Sequence, residues 1–223
     1  MVQSFIYDPA APTERNHHWA QLFLRRYGIV LRDMCKEEPS PPPYSQIYPI
    51  FKAMEEVGRV QRGYFVEGVE GIQFSMPGLT DDLRRKPDPN EPPTLTCLAA
   101  RDPSNLYGRV IPWPKTGGPT AQPRREAGAS LLLVQGEPAL WLSPNAHRLV
   151  TFPQTLEALD HSTIETATKA LFEFHRLSKD TLLEEIDGLS AAEHPFANTL
   201  EELGGKIHPS GLLFTGISRN ARR

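Results

Sequence analysis

The sequence predicts an α+β protein: an N-terminal winged helix, then a β-rich domain forming a small β-barrel-like or curved sheet with two helices. Three observations carry this. Apolar residues at helical spacing recur in three segments before residue 58. Two aromatic and β-branched runs then flank "EGVEG", the pattern of a glycine-turned hairpin. Beyond a polar, proline-rich break, short apolar strand segments dominate. The chain's 223 residues suffice for two domains with separate cores. "KPDPNEPP" cannot continue a helix and sets the expected boundary, giving domains 1–86 and 87–223.

The first helix is expected in "ERNHHWAQLFLRRYG", with Trp19, Leu22, Phe23 and Tyr27 on one face and Gly28 as its stop. "IVLRDMCKEE" reads as a second, weaker helix through Val30, Leu31, Met34 and Cys35. "YSQIYPIFKAMEEVG" is the third, with Ile47, Ile50, Phe51, Met54 and Val57 inward and Gly58 as stop. With Ser45 as N-cap, Pro49 is the fourth helical residue and removes no ladder bond.

"RVQRGYFVEGVEGIQFS" poses a choice. A phosphate loop needs G-x-G-x-x-G or G-x-x-x-x-G-K-[ST] before a helix. Gly63, Gly68 and Gly71 match neither, and "IQFSMP" alternates as a strand. The hairpin reading follows, with Gly68 and Gly71 at the turn and Gly63 as a bulge. Three helices and a hairpin make a winged helix, whose third helix commonly enters the DNA major groove.

In the second domain, strands are expected at Leu95–Ala99, Ser130–Val134, Ala139–Leu142, Leu149–Phe152, "TLLEEID" and "GLLFTG". A helix opens at the capping box Ser162-x-x-Glu165 and buries Ile164, Ala167, Leu171, Phe174 and Leu177. "HPFANTLEELGG" is a second, short helix. "PWPKTGGPTAQPRREAG" reads as a long exposed loop.

Composition narrows the function classes. The hydrophobic fraction is 39% and no apolar run is long enough to span a membrane. The start lacks a secretory pattern, and Cys35 and Cys97 stand apart without metal-ligand spacing, so a cytoplasmic setting with free thiols is expected. Adjacent His17 and His18 point different ways on a helix, and no metal site is expected. No G-x-S-x-G marks nucleophilic chemistry. The net charge of −3 requires any DNA contact to use a local basic surface.

The candidate nucleic-acid contacts are Ser45, Gln46, Tyr48 and Lys52 on the third helix, with Arg59, Arg62 and Tyr64 on the wing. The alternative is a solvated polar face or a protein-contact module, since residues 13–86 carry eleven Lys and Arg against ten Asp and Glu. "RDPSNLYGRVIPWP" is the most distinctive loop. Asp102 and Asn105 can cap its turns, and Tyr107 and Trp113 can fill a pocket or stack on a base; the plainer reading, which is preferred, is a structured loop closing the barrel. Arg124 and Arg125 add positive charge nearby.

"FLRRYGIVLRDM", "YSQIYPIFKAMEEVGRVQRGYFVEGVEGIQFSMPG", "AARDPSNLYGRVIPWP" and "AGASLLLVQGEPALWL" come in one order that closely resembles the C-terminal end of bacterial Lhr-type (large helicase-related) ATP-dependent helicases. The likeness runs from about Thr13 to near Thr215, with Leu106 where the family commonly has proline. The family's motor is a pair of superfamily 2 RecA-like domains moving 3′ to 5′ on single-stranded DNA. This sequence carries neither a Walker A motif nor a DExH box, so ATP and Mg²⁺ are expected only for motor domains outside it. The resemblance implies the last winged helix plus a terminal β-barrel-like domain, acting in DNA repair through contact with single-stranded or forked DNA, or through homo-oligomerisation. Some members are linked to uracil excision. That chemistry needs a flipped base and a group that positions water, which Asp102, Asn105 or Asp187 can supply; no catalytic residue is assigned.

Overall fold

The computed structural model describes residues 12–38, 40–84, 91–177 and 180–215. Pro39, residues 86–90 of the proline-rich break and Gly216 of "GLLFTG" lie outside them. The chain divides into two compact units, Met1–Lys86 and Pro87–Arg223.

The first unit opens with α1 (Pro12–Tyr27), which buries Asn16, Ala20, Phe23 and Leu24. The expected stripe is therefore rotated: Leu22 is 41% exposed, while Trp19 and Tyr27 pack at the core margin. Gly28 ends the helix at φ +71°. The expected second helix is instead a strand, β1 (Ile29–Val30), followed by a single 3₁₀ turn, Met34–Glu37. Two β-branched residues favour pairing over a new helix. The apolar content was informative, since Val30, Leu31, Met34 and Cys35 are all buried.

α2 (Tyr44–Glu56) buries Ile47, Phe51 and Met54. Pro43, not Ser45, holds the N-cap position, and no side chain caps this end. Pro49 therefore falls past the first turn, and the Ser45 carbonyl loses its helical partner. Ser45 is exposed, so solvent can reach this end of the helix. Val57 lies beyond the last turn at 68% exposure. Gly58 then takes φ +69° while Arg59 N–H donates to the Met54 carbonyl, closing the C-terminus.

β2 (Gln61–Gly63) and β3 (Gln73–Ser75) form the wing, paired Gln61↔Ser75, Arg62↔Phe74 and Gly63↔Gln73. Gly63 is thus in register rather than a bulge. β1 joins the other edge of β3, giving the order β1-β3-β2. Phe74 of the central strand stacks on Phe51 at 4.9 Å between ring centroids, locking α2 to the sheet. A short α3 (Leu79–Arg84), not anticipated, ends this unit's described part.

In the second unit, β4 (Leu95–Ala99), β5 (Ser130–Val134), β6 (Glu137–Leu142) and β7 (Arg148–Thr151) form an antiparallel series. Gln135 and Gly136 both take positive φ in the two-residue β5–β6 turn, as a primed hairpin turn requires. "TLLEEID" splits into β8 (Thr181–Leu183) and β9 (Glu185–Ile186), which lie in different sheets. β9 runs parallel to β7 and pairs with β10 (Leu189–Ser190), giving a six-stranded order β10-β9-β7-β6-β5-β4. β8 instead joins β12 (Gly211–Phe214) and β11 (Gly205–His208). Among the described residues no barrel closes: the chain crosses between two open sheets at Glu184, and both sheets share one core.

A short α4 (Pro153–Leu156) follows β7, and α5 (His161–His175) covers the core through Ala167, Thr168, Leu171 and Phe172. Its cap is Asp160, which accepts from Thr163 N–H at 2.8 Å, and not Ser162. Phe174, expected inside, is 44% exposed. α6 (Ala197–Glu202) precedes β11.

Candidate nucleic-acid interface

The α2 face opposite Phe51 carries Ser45, Pro49, Lys52 and Glu56 in one exposed row. Gln46 lies beside it, exposed, with Asn16 Nδ2 reaching its Oε1 at 3.5 Å. Tyr48 is only half exposed. Its ring packs against Tyr44 at 6.0 Å and Phe74 at 5.8 Å, so it supports the helix as well as edging its surface. Beside the N-terminus of α2 lies an open cleft of about 790 Å³, bordered by Arg32, Lys36, Tyr44, Ser45 and Tyr48. Burial pushes the Cys35 thiol at its base up to about 12, leaving it neutral and unreactive. Arg32 is exposed and was not singled out from sequence, where its segment read as helix.

Arg59 is exposed just after α2. Arg62 on β2 reaches Glu55 at 3.2 Å, so part of its charge is balanced within the fold. Tyr64 is 82% exposed at the base of the wing loop. The loop's tip carries exposed Glu67 and Glu70 and repels phosphate, so the wing's base is its cationic part.

Gln73 is the residue sequence reasoning missed. Its side chain is buried, and its Oε1 accepts from the Phe65 and Val66 amides at 2.7 and 2.8 Å. Its Nε2 donates to the Val66 carbonyl at 3.1 Å and the Val69 carbonyl at 3.4 Å. One amide thereby shapes the loop that presents Tyr64. No local signal marked it: in the alternation of Ile72, Phe74 and Met76, Gln73 falls with Ser75 on the polar face, yet the structure buries both.

Residues 9–95 match the winged-helix domain described for the large helicase-related protein. The chain belongs to the Lhr helicase-related family. It is 31% identical over 208 residues to the Escherichia coli "Lhr helicase/uracil glycosylase", covering 92% of this chain and 13% of that protein. It is 31% identical over 216 residues to the Mycolicibacterium smegmatis "Lhr helicase/ probable uracil glycosylase", covering 94% of this chain and 14% of that protein. The chain thus spans roughly one-seventh of the length of these relatives.

In this Lhr-family chain the second unit's candidate residues form two hydrogen-bonded clusters, and the loop of residues 113–123 touches both. Asp102 accepts from Ser104 N–H at 2.8 Å, and the Ser104 bonds hold its carboxyl below the usual range. Asn105 is buried, donating to the Ala100 carbonyl at 2.8 Å and accepting from Tyr107 N–H at 3.0 Å. Half-buried Arg125 donates to the carbonyls of Asn105 and Asp102, at 2.5 and 3.2 Å. Tyr107, Trp113 and Phe152 stack in series at 6.1 and 5.9 Å. Trp113 also edges an open cleft of about 530 Å³ along residues 113–123.

Asp187 belongs to the other cluster. It is buried at φ +55° and accepts from Thr151 N–H at 2.8 Å and Thr151 Oγ1 at 2.6 Å. His194 Nε2 stands 3.4 Å from its Oδ2. Gly117 and Gly118 seal it: a Cβ on Gly117 would stand 2.1 Å from Asp187 Oδ2. No described helix is long and apolar enough to cross a membrane.

Proposed function

We propose that this chain is the DNA-contact module of an Lhr-type repair helicase, binding single-stranded or forked DNA through α2 and the base of the wing. The observation that carries the reading is the exposed array of Ser45, Gln46, Lys52, Arg59, Arg62 and Tyr64 on a winged-helix scaffold. Lys52 and Arg59 supply phosphate contacts, the polar pair at the start of α2 supplies hydrogen bonds, and Tyr64 offers an aromatic face for an unpaired base. Motor activity and ATP turnover belong, on this reading, to the rest of the protein.

The test is a titration of the chain against single-stranded, duplex and forked DNA at two salt concentrations. Affinity should fall steeply with salt, and Gln46→Ala with Lys52→Ala should weaken it on every substrate. Salt-insensitive binding, or unchanged affinity in the double variant, would refute the assignment.

The names of both relatives motivate a second reading, uracil excision within this region. Of the three candidate side chains, Asp102 has solvent access, whereas Asn105 and Asp187 are buried with bonded neighbours. Incubation with uracil-containing single strands should then yield alkali-labile sites, lost in Asp102→Asn. Their absence at high protein concentration removes this reading. Self-association is a third reading, for which the exposed Ile207 on edge strand β11 is the motivating feature; light scattering that shows a monomer at all concentrations removes it.

A further inference from the structure

We infer that His161, Glu165 and Glu202 form a binding site for a first-row divalent cation such as Zn²⁺, linking the start of α5 to the end of α6. His161 is the first residue of α5, Glu165 lies one turn on, and Glu202 is the last residue of α6. His161 Nε2 is 2.8 Å from a Glu202 oxygen and 3.8 Å from a Glu165 oxygen. One ligand atom from each residue falls within 4.8 Å of the others.

The spacing suits a metal. Donors about 2.1 Å from a common ion stand about 3.0–3.5 Å apart in octahedral or tetrahedral geometry. In this structure the 2.8 Å His161–Glu202 contact is a hydrogen bond, the 3.8 Å contact is longer than that range, and all three atoms lie within 4.8 Å, so a cation would replace the bridging proton and draw the carboxylates inward. A simple His–Glu pair would need one carboxylate. Here the same imidazole nitrogen meets two, from different helices, and their mutual repulsion is relieved by a cation.

The surroundings set the affinity. The carbonyl end of α6 favours a cation, while the amide end of α5 opposes it, so the two carboxylates must carry the binding. One imidazole with two carboxylates suits Zn²⁺ or Mn²⁺ better than Mg²⁺, which prefers an all-oxygen shell. All three side chains reach solvent, so the remaining coordination positions are open to water. The site would fasten α6, and the β11–β12 hairpin after it, to the helix covering the core.

The test uses the whole chain stripped with chelator and titrated with Zn²⁺ by calorimetry. About one equivalent should bind, with Glu202→Gln and His161→Ala each lowering affinity by at least about tenfold. Zn²⁺ should also shift the His161 Nε2 resonance into the range of a metal-bound imidazole. His147→Ala, which disrupts a separate His147–Glu184 pair at 3.5 Å, should bind like the parent. No stoichiometric binding, equal binding in His161→Ala, or an unmoved His161 signal would overturn the inference. Each substitution is at an exposed side chain, and a melting curve without metal checks that each variant is folded.

Discussion

Substituting Gln73 with alanine tests how the wing is held. The side chain makes four hydrogen bonds to the backbone of residues 65–69, three at 2.7–3.1 Å and one weaker at 3.4 Å. At about 1 kcal/mol net for each good bond, and with solvent replacing some of them at half-buried Phe65 and Val66, the loss is about 2–3 kcal/mol. The effect should be local, because Phe74 and Ser75 still pair with β1 and β2. Amide hydrogen exchange is the suitable assay. Exchange at Phe65 and Val66 should accelerate about 30- to 140-fold. Amides of α2 should be nearly unchanged. Gln73→Glu separates the two halves of the argument, since it keeps the acceptor and puts a carboxylate against the Val66 and Val69 carbonyls. Unchanged exchange at Phe65 and Val66 in Gln73→Ala would refute the reasoning.

Phe51→Ala removes a fully buried ring stacked on Phe74 and should cost the first unit about 3–5 kcal/mol, measured by urea unfolding of its transition. Gly118→Ala should destabilise the second unit by at least about 2 kcal/mol, because the new Cβ would meet the Asp187 carbonyl oxygen at 2.0 Å and backbone cannot easily yield. His175 and His194 are both held below the ordinary histidine value of 6.5 by burial, with Asp187 partly opposing this at His194. The unfolded chain therefore binds protons first, and second-unit stability should fall as pH drops from 7.5 through 6.5 toward the lowered folded values. His175→Gln should flatten that slope in denaturant titrations at stepped pH, and an unchanged slope would contradict the burial argument.

Much of the fold was legible because its signals are local. The Ile47/Phe51/Met54 spacing fixes the buried face of α2, and "EGVEG" places two glycines at positive φ between two strands. The strands at Leu95–Ala99 and Ser130–Val134 end where the sequence places them. What escaped depends on long-range partners. Ile29–Val30 is a strand because β3 offers a free edge 43 or more residues away in sequence, which no local periodicity shows. Asp160 outcompetes the Ser162 capping box because the chain enters α5 extended at Asp160. The split into two open sheets was also invisible, since "TLLEEID" reads as one strand and only the tertiary packing divides it between them.

The candidate site shows the same division. Residue types and a polar helix face indicated Ser45, Gln46 and Lys52, and the structure places all three on exposed α2 surface. The Arg62–Glu55 pair, the packed ring of Tyr48 and the Gln73 scaffold could not be read, because each depends on contacts across the hairpin or from hairpin to helix.

The central claim, DNA contact through α2 and the base of the wing, is tested most directly by following backbone amide resonances as forked DNA is added. Shifts are expected at Ser45, Gln46, Lys52, Arg59, Arg62 and Tyr64, diminishing as salt is raised. Shifts confined to the second unit, or none at protein concentrations well above a nonspecific Kd, would contradict it.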